Sequence, residues 1–332
     1  MTTSIMVGPL LQTFFAEHLQ AQQRVSQQTV ASYRDSFRLL LRWIEREAGI
    51  APAALKMSHL DAPRILNFLA TLEKGRKNAV VTRNLRLTAI RSFYRFAALR
   101  DPEIAGLATR VLAIPTKRTD TKARDYITRE EFDALLGTFD RRQWLGRRNY
   151  ALVLTMYNTG ARVSEMTTLR HDQLTLTGNG QVQLHGKGRK ERRVPIWSRT
   201  SQILKAWLPE TTLTGGTVAF PTRRGEPLTR FAIHLLLRKA AEQAAEICPT
   251  LKKKSVSPHQ LRHGTAMALL ESGVDLAVIA LWLGHESIET TNVYLHSSLA
   301  MKERALGKLA PAGKAFSRFK ADDQLISFLN AL

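Results

Sequence analysis

A single cysteine, Cys248, in 332 residues excludes an internal disulfide and points to a reducing compartment. It precedes Pro249 with no His or Asp motif beside it, so it reads as a small packing residue rather than a nucleophile. Met1 to Gly8 has neither the charged start nor the apolar core of a secretory leader, and no apolar run approaches the roughly 18 residues of a membrane span. No basic stretch with a dominant Trp/Phe/Leu face argues for a membrane surface either. A cytoplasmic, nucleoid-associated protein is therefore expected. Carboxylates are scarce, 28 Asp plus Glu against 49 Lys plus Arg, and they form no cluster at metal-ligand spacing. Neither a metal nor another cofactor is expected. Low-complexity tracts and internal repeats are also missing, and 44% hydrophobic residues can fill two ordinary cores.

What remains is positive charge. The formal net charge is +21, an excess that repels itself unless it meets a polyanion, and nucleic acid releases counterions for each phosphate neutralised. Residues 1–112 read as a helical block. Ser26 to Glu45 sets Val30, Tyr33, Phe37, Leu40, Leu41 and Ile44 at helical spacing. Ile65, Leu66, Phe68 and Leu69 follow Asp61, a candidate cap. From Val81 to Phe96 the positions Val81, Leu85, Ala89, Phe93 and Phe96 suggest one apolar face, with Arg83, Arg86, Arg91 and Arg95 opposite. Such a face is usually a solvated surface. An all-arginine one, after Lys74, Arg76 and Lys77, is better suited to a DNA groove.

Residues 113–125 lack apolar periodicity and read as a linker. A second domain, 126–310, opens with Thr128 and Glu131 as a capping box. A hairpin is expected from Gln181–Leu184 and Arg193–Ile196 around Gly186 to Lys190; the rest is mainly helical. The fold class expected is mainly α: a helical N-terminal domain and a mostly helical second domain with a small hairpin. A tail helix at 311–332 carries Leu325, Phe328, Leu329 and Leu332 at helical spacing. It suits either its own domain or a neighbouring protomer.

The chemistry sits in five islands. Arg162 follows Gly160 and precedes Ser164-Glu165-Met166, a helix start where a guanidinium joins backbone amides in facing an anion; Glu165, one turn on, can hold its fork. Lys187, Arg189 and Lys190 occupy the hairpin tip, a basic turn suited to a DNA backbone. Ser257-Pro258-His259-Gln260 signals a helix start with His259 and Arg262 one turn apart on one face. His259 and His263 are four apart, but Gln260 replaces the glutamate of a zinc motif and no third ligand is evident. His285 closes Leu283-Gly284-His285, and Tyr294 follows. Two guanidiniums can clamp a phosphoryl group, a lysine can protonate a leaving oxygen, and a phenol can attack phosphorus.

The order and spacing of these islands resemble the tyrosine recombinase (phage integrase) family of site-specific DNA recombinases over nearly the whole chain. The resemblance implies that the N-terminal block is a core-binding domain. It implies Arg162, Lys187, His259, Arg262, His285 and Tyr294 as the catalytic set, with Glu165 in support, Lys190 competing with Lys187 as general acid, and Tyr294 forming a 3′-phosphotyrosine. It further implies duplex DNA with inverted-repeat core sites, a homo-tetramer, a Holliday-junction intermediate and, in some members, a partner recombinase. Integration, excision or transposition of a mobile element is the expected role. Dimer resolution by the same chemistry, type IB topoisomerase-like relaxation and a non-catalytic DNA-binding role stand as alternatives.

Overall fold

The chain forms two units, Met1–Lys122 and Ala123–Leu332, each around its own main hydrophobic core, with a smaller cluster of Ala266, Met267, Leu270, Ile279 and Leu283 in the second. The computed structural model describes residues 5–119, 125–178, 180–186, 191–212, 217–285 and Thr291.

In the first unit α1 (Val7–Thr13) continues as a π-wound turn over Phe14–Gln22, followed by α2 (Gln27–Ala48), α3 (Ala62–Lys74), α4 (Val80–Arg100) and α5 (Ala105–Leu112). Their starts are chemically marked: Ser26 caps α2 by accepting from Thr29 N, and Asp61 caps α3 by accepting from Arg64 N. Gly49, at φ +65°, ends α2 in the left-handed conformation that glycine adopts without a Cβ penalty. Phe14, Phe37 and Phe93 meet edge to face at the centre, Phe14–Phe93 at 5.5 Å and Phe37–Phe93 at 5.3 Å.

Of the apolar face expected for α4, Ala89, Phe93 and Phe96 are buried, but its first two positions are not. Val81 and Leu85 are 65% and 48% exposed, whereas Arg83 is 3% exposed. The buried stripe runs Leu87, Ile90, Phe93, Tyr94 and Ala97, and Arg83 lies on its extension one turn earlier. Its Nη1 donates to Pro115 O at 2.9 Å and to Asn84 Oδ1 at 3.1 Å, while its buried Nε has no hydrogen-bond partner among the described residues. Arg86 donates to Ser32 O and to Ser36 Oγ, and Arg91 to Ile114 O. Of the four arginines only Arg95 is exposed, Arg86 and Arg91 being half-buried. The expected linker also differs at its start. Ile114 is buried in the first core, and Lys117 pairs with Glu73 at 2.8 Å, so residues 113–117 pack on the first unit.

The second unit is mainly helical around a small antiparallel sheet. Its elements are α6 (Arg129–Gly137), α7 (Trp144–Thr159), α8 (Val163–Thr167), β1 (Leu174–Thr175), β2 (Gln181–His185), β3 (Glu191–Pro195), α9 (Ser198–Thr212), α10 (Arg230–Ala244), α11 (Pro258–Glu271) and α12 (Leu276–Leu283). The sheet order is β1-β2-β3, with Val182 opposite Val194 and His185 opposite Glu191. α7 is the central helix, buried at every position from Tyr150 to Thr159. Tyr157 stacks on Phe132 of α6 at 3.8 Å, and α11 packs along α7. The capping box of α6 forms as the sequence reads: Thr128 Oγ1 accepts from Glu131 N and the Glu131 carboxylate accepts from Thr128 N. No described helix is long and apolar enough to cross a membrane.

Candidate active site

The site assembles where three chain segments end beside one another in the second unit. α7 stops at Gly160, whose φ of +59° turns the chain, and a Cβ there would lie 2.4 Å from Leu283 Cδ2. Glycine is thus needed both for the turn and for the approach of α12. Two residues later Arg162 is the N-cap of α8, so its side chain leaves at a helix start. Glu165 accepts from Arg162 N at 2.7 Å and from Arg162 Nη1 at 3.1 Å, as its spacing suggests.

α11 begins at Ser257, which accepts from Gln260 N, and Pro258 occupies its first turn. This start places His259 in solvent and Arg262 inside, 5% exposed. Arg262 donates to Gly160 O at 2.6 Å and Leu283 O at 2.7 Å. The ring of His259 meets that of His263 edge to face at 4.2 Å, and no group of three or more metal-ligating side chains occurs among the described residues.

α12 ends at Gly284, φ +66°, and His285 N returns to Ala280 O at 2.9 Å. Arg162 donates from Nη2 to Gly284 O at 2.8 Å, so both candidate arginines hold the loop that delivers His285. His285 Nδ1 lies 2.8 Å from Thr291 Oγ1, a fully buried hydroxyl. Burial, then the charges of Arg262, Arg162, Arg192 and His259, push the imidazole down to about 4, so it is neutral at pH 7. At Glu165 burial opposes ionisation, but hydrogen bonds and charge from Arg192 and Arg162 outweigh it and hold the carboxyl below its ordinary range.

The described structure therefore brings together Arg162, Glu165, Arg262 and His285, with His259 at the start of the same helix as Arg262. Lys187, Arg189, Lys190, Tyr294 and the tail helix at 311–332 lie outside the described residues. Two residues of the site, Arg192 within the basic run around Lys187 and Thr291 before Tyr294, are not singled out by the sequence. Arg192 accompanies Glu165, with Nη1–Oε1 at 2.7 Å and Nη2–Oε2 at 2.8 Å. Alternation along β3 was a signal for it, because Val194 faces inward and Arg192, two residues away, shares that face. Thr291 carried no such signal, since its role depends on where His285 folds. A second cationic surface surrounds the start of α10: Arg223, Arg224 and Arg230 are exposed, and Phe231 beside them is 74% exposed.

Family models match both halves of the chain. A model of the phage integrase family matches residues 125–301, and one of a phage integrase N-terminal SAM-like domain matches 13–101. An integrase/recombinase of Sinorhizobium fredii is 46% identical over 332 residues, covering 100% of both chains. The tyrosine recombinase XerC of Pelobacter propionicus is 31% identical over 303 residues, 90% of this chain and 95% of its own. Among solved structures, the XerH site-specific recombinase bound to difH substrate overlays with a TM-score of 0.65 at 21% identity, covering 85% of this chain and 79% of that one.

Proposed function

The chain belongs to the phage integrase family of tyrosine recombinases, enzymes that break and rejoin DNA, and on that basis we propose that it performs strand exchange through Tyr294 at the site built around Arg162 and Arg262. The observation that carries the reading is the convergence of Arg162, Arg262 and His285 on one loop. Among the described side chains, Arg162 and Arg192 hold the carboxylate of Glu165, and Arg262 acts with both on His285, so three guanidiniums stand against one carboxylate. Fixed positive charge of this kind stabilises a phosphoryl group as its non-bridging oxygens gain charge.

In this proposal Arg162 and Arg262 bind the scissile phosphate and neutral His285 donates a hydrogen bond to it. Nδ1 accepting from Thr291 Oγ1 leaves Nε2–H as that donor. The Tyr294 oxygen attacks phosphorus and its proton passes to His259, exposed at the start of α11. The bond from phosphorus to the 5′ oxygen breaks, and Lys187 supplies the proton that oxygen needs; Lys190 is the competitor for this role. A 5′ hydroxyl from the partner strand later attacks the 3′-phosphotyrosine and releases the phenol. One phosphodiester is exchanged for another, so no nucleotide triphosphate or cofactor enters.

The substrate would be duplex DNA with inverted-repeat core sites, bound by four copies and resolved through a Holliday junction. Arg95, Arg189 and the Arg223, Arg224 and Arg230 surface would meet its phosphates. Mobilisation of a genetic element is the favoured role, supported by 46% identity over the full chain to an integrase/recombinase against 31% to a XerC protein. Dimer resolution is the second reading, with a partner recombinase then required.

The test is incubation with nicked suicide duplexes drawn from sequence flanking the gene, followed by mass spectrometry of DNA-linked peptides. A 3′-phosphodiester adduct on Tyr294 is expected, absent in Tyr294→Phe, which should bind the same duplex with unchanged affinity. An adduct persisting in Tyr294→Phe would defeat the nucleophile assignment.

A further inference from the structure

The contacts of Arg192 reach three parts of the site. Nη1 and Nη2 grip the two oxygens of Glu165 at 2.7 and 2.8 Å, and Nε donates to Trp282 O at 2.9 Å. Its side chain is 11% exposed and that of Glu165 is 1% exposed. The same two oxygens hold Arg162, Oε1 its guanidinium and Oε2 its backbone amide. Gly284 lies against Arg192: a Cβ there would sit 3.0 Å from Cδ and 3.2 Å from Nη1. One guanidinium therefore touches the carboxylate that orients Arg162, the last turn of α12 and the residue before His285.

Arg192 also stands on β3, where it pairs across the sheet with Leu184. Burying a cation with only a surface role would be costly, and the bidentate carboxylate pair with a third bond to a carbonyl offsets that cost only while the fork stays in place. Displacing it would release Glu165, and through Glu165 the backbone and side chain of Arg162.

We propose that Arg192 is a positioning residue that joins β3, Arg162 and the His285 loop, so that the groups handling the phosphate move as one body. The proposal rests on the recombinase reading of the site. A lysine cannot take its place, because a point-charge ammonium lacks the planar fork that meets both carboxylate oxygens while also donating from Nε.

The experiment compares wild type with Arg192→Lys and Arg192→Met on the suicide duplex. Affinity for DNA and the rate of covalent adduct formation are measured separately. For Arg192→Lys, affinity should stay within about twofold while the adduct rate falls about 100-fold, the scale of a small misplacement of reacting groups. An adduct rate within about threefold of wild type, or a loss matched by an equal loss of binding, would overturn the proposal. Side-chain NMR of the free protein supplies a readout independent of activity. The Arg162 Nε–H resonance should shift in Arg192→Lys. His285 should titrate higher in Arg192→Met, where one of the three guanidiniums that hold its pKa down, those of Arg262, Arg162 and Arg192, is gone. An unmoved Arg162 resonance would count against the joint; should Arg192→Met not fold, Arg192→Lys carries the test. If wild type forms no adduct while these resonances shift, the recombinase chemistry fails and the joint stands.

Discussion

Arg162 and Arg262 hold consecutive carbonyls of one loop, Arg162 donating to Gly284 O at 2.8 Å and Arg262 to Leu283 O at 2.7 Å. The next residue is His285. Two cations from different helices thereby fix the approach of the imidazole, and the site's electrostatics follow from that arrangement.

His285 is the first consequence. Its pKa is pushed from 6.5 to about 4 by burial and by Arg262, Arg162, Arg192 and His259. Between those values the unfolded chain binds a proton that the native protein does not. Stability is therefore level above about pH 6.5 on this account and falls as the pH drops towards about 4. Histidine-selective NMR titration should find His285 still neutral at pH 5.5, and His285→Asn should flatten that part of the stability curve. Titration near the ordinary histidine value would show that the arginines do not surround the ring as described.

Arg83 and Arg95, both on α4, should separate. Arg83→Met should destabilise the protein by about 1 kcal/mol through loss of its buried bonds to Pro115 O and Asn84, and leave the salt dependence of DNA binding alone. Arg95→Ala should leave the melting temperature unchanged and lower the slope of log affinity against log salt by about 0.9, the loss of one phosphate contact. Thermal melts and binding at several salt concentrations decide it; the reverse pattern would restore Arg83 to the DNA surface.

Glu131 and Lys254 form a buried pair, 2.8 Å apart with side chains 3% and 18% exposed. Lys254 also donates to Tyr126 O, tying the entry of the second unit to the segment before α11. Lys254→Met should cost about 2 kcal/mol, because a carboxylate loses its cation inside the protein. Adding Glu131→Met should restore part of that loss. Thermal unfolding of the two variants measures it, and a double variant no better than the single one would show that the pair is not coupled.

Much of this molecule is legible before folding. The helix starts at Ser26, Asp61, Thr128 and Ser257 lie where the caps fall, because capping is local hydrogen bonding over three residues. The Arg162–Glu165 pair is legible for the same reason. The face of α4 is not: Arg83 is inside because residues 114–117 fold back to offer carbonyls, a long-range event that helical periodicity does not contain. Arg192 was hidden in a basic run until β3 turned it inward against Glu165.

The sequence by itself determined the two cores, the mainly helical fold, the basic charge and the residue types of a phosphodiester site, since composition, periodicity and short-range capping are properties of neighbouring residues. Only the tertiary structure decided which cations meet. Arg162 and Arg192 meet at Glu165, and with Arg262 act on His285, because the starts of α8 and α11, the strand β3 and the end of α12 come to one place, where burial strengthens each charge and sets the state of the imidazole.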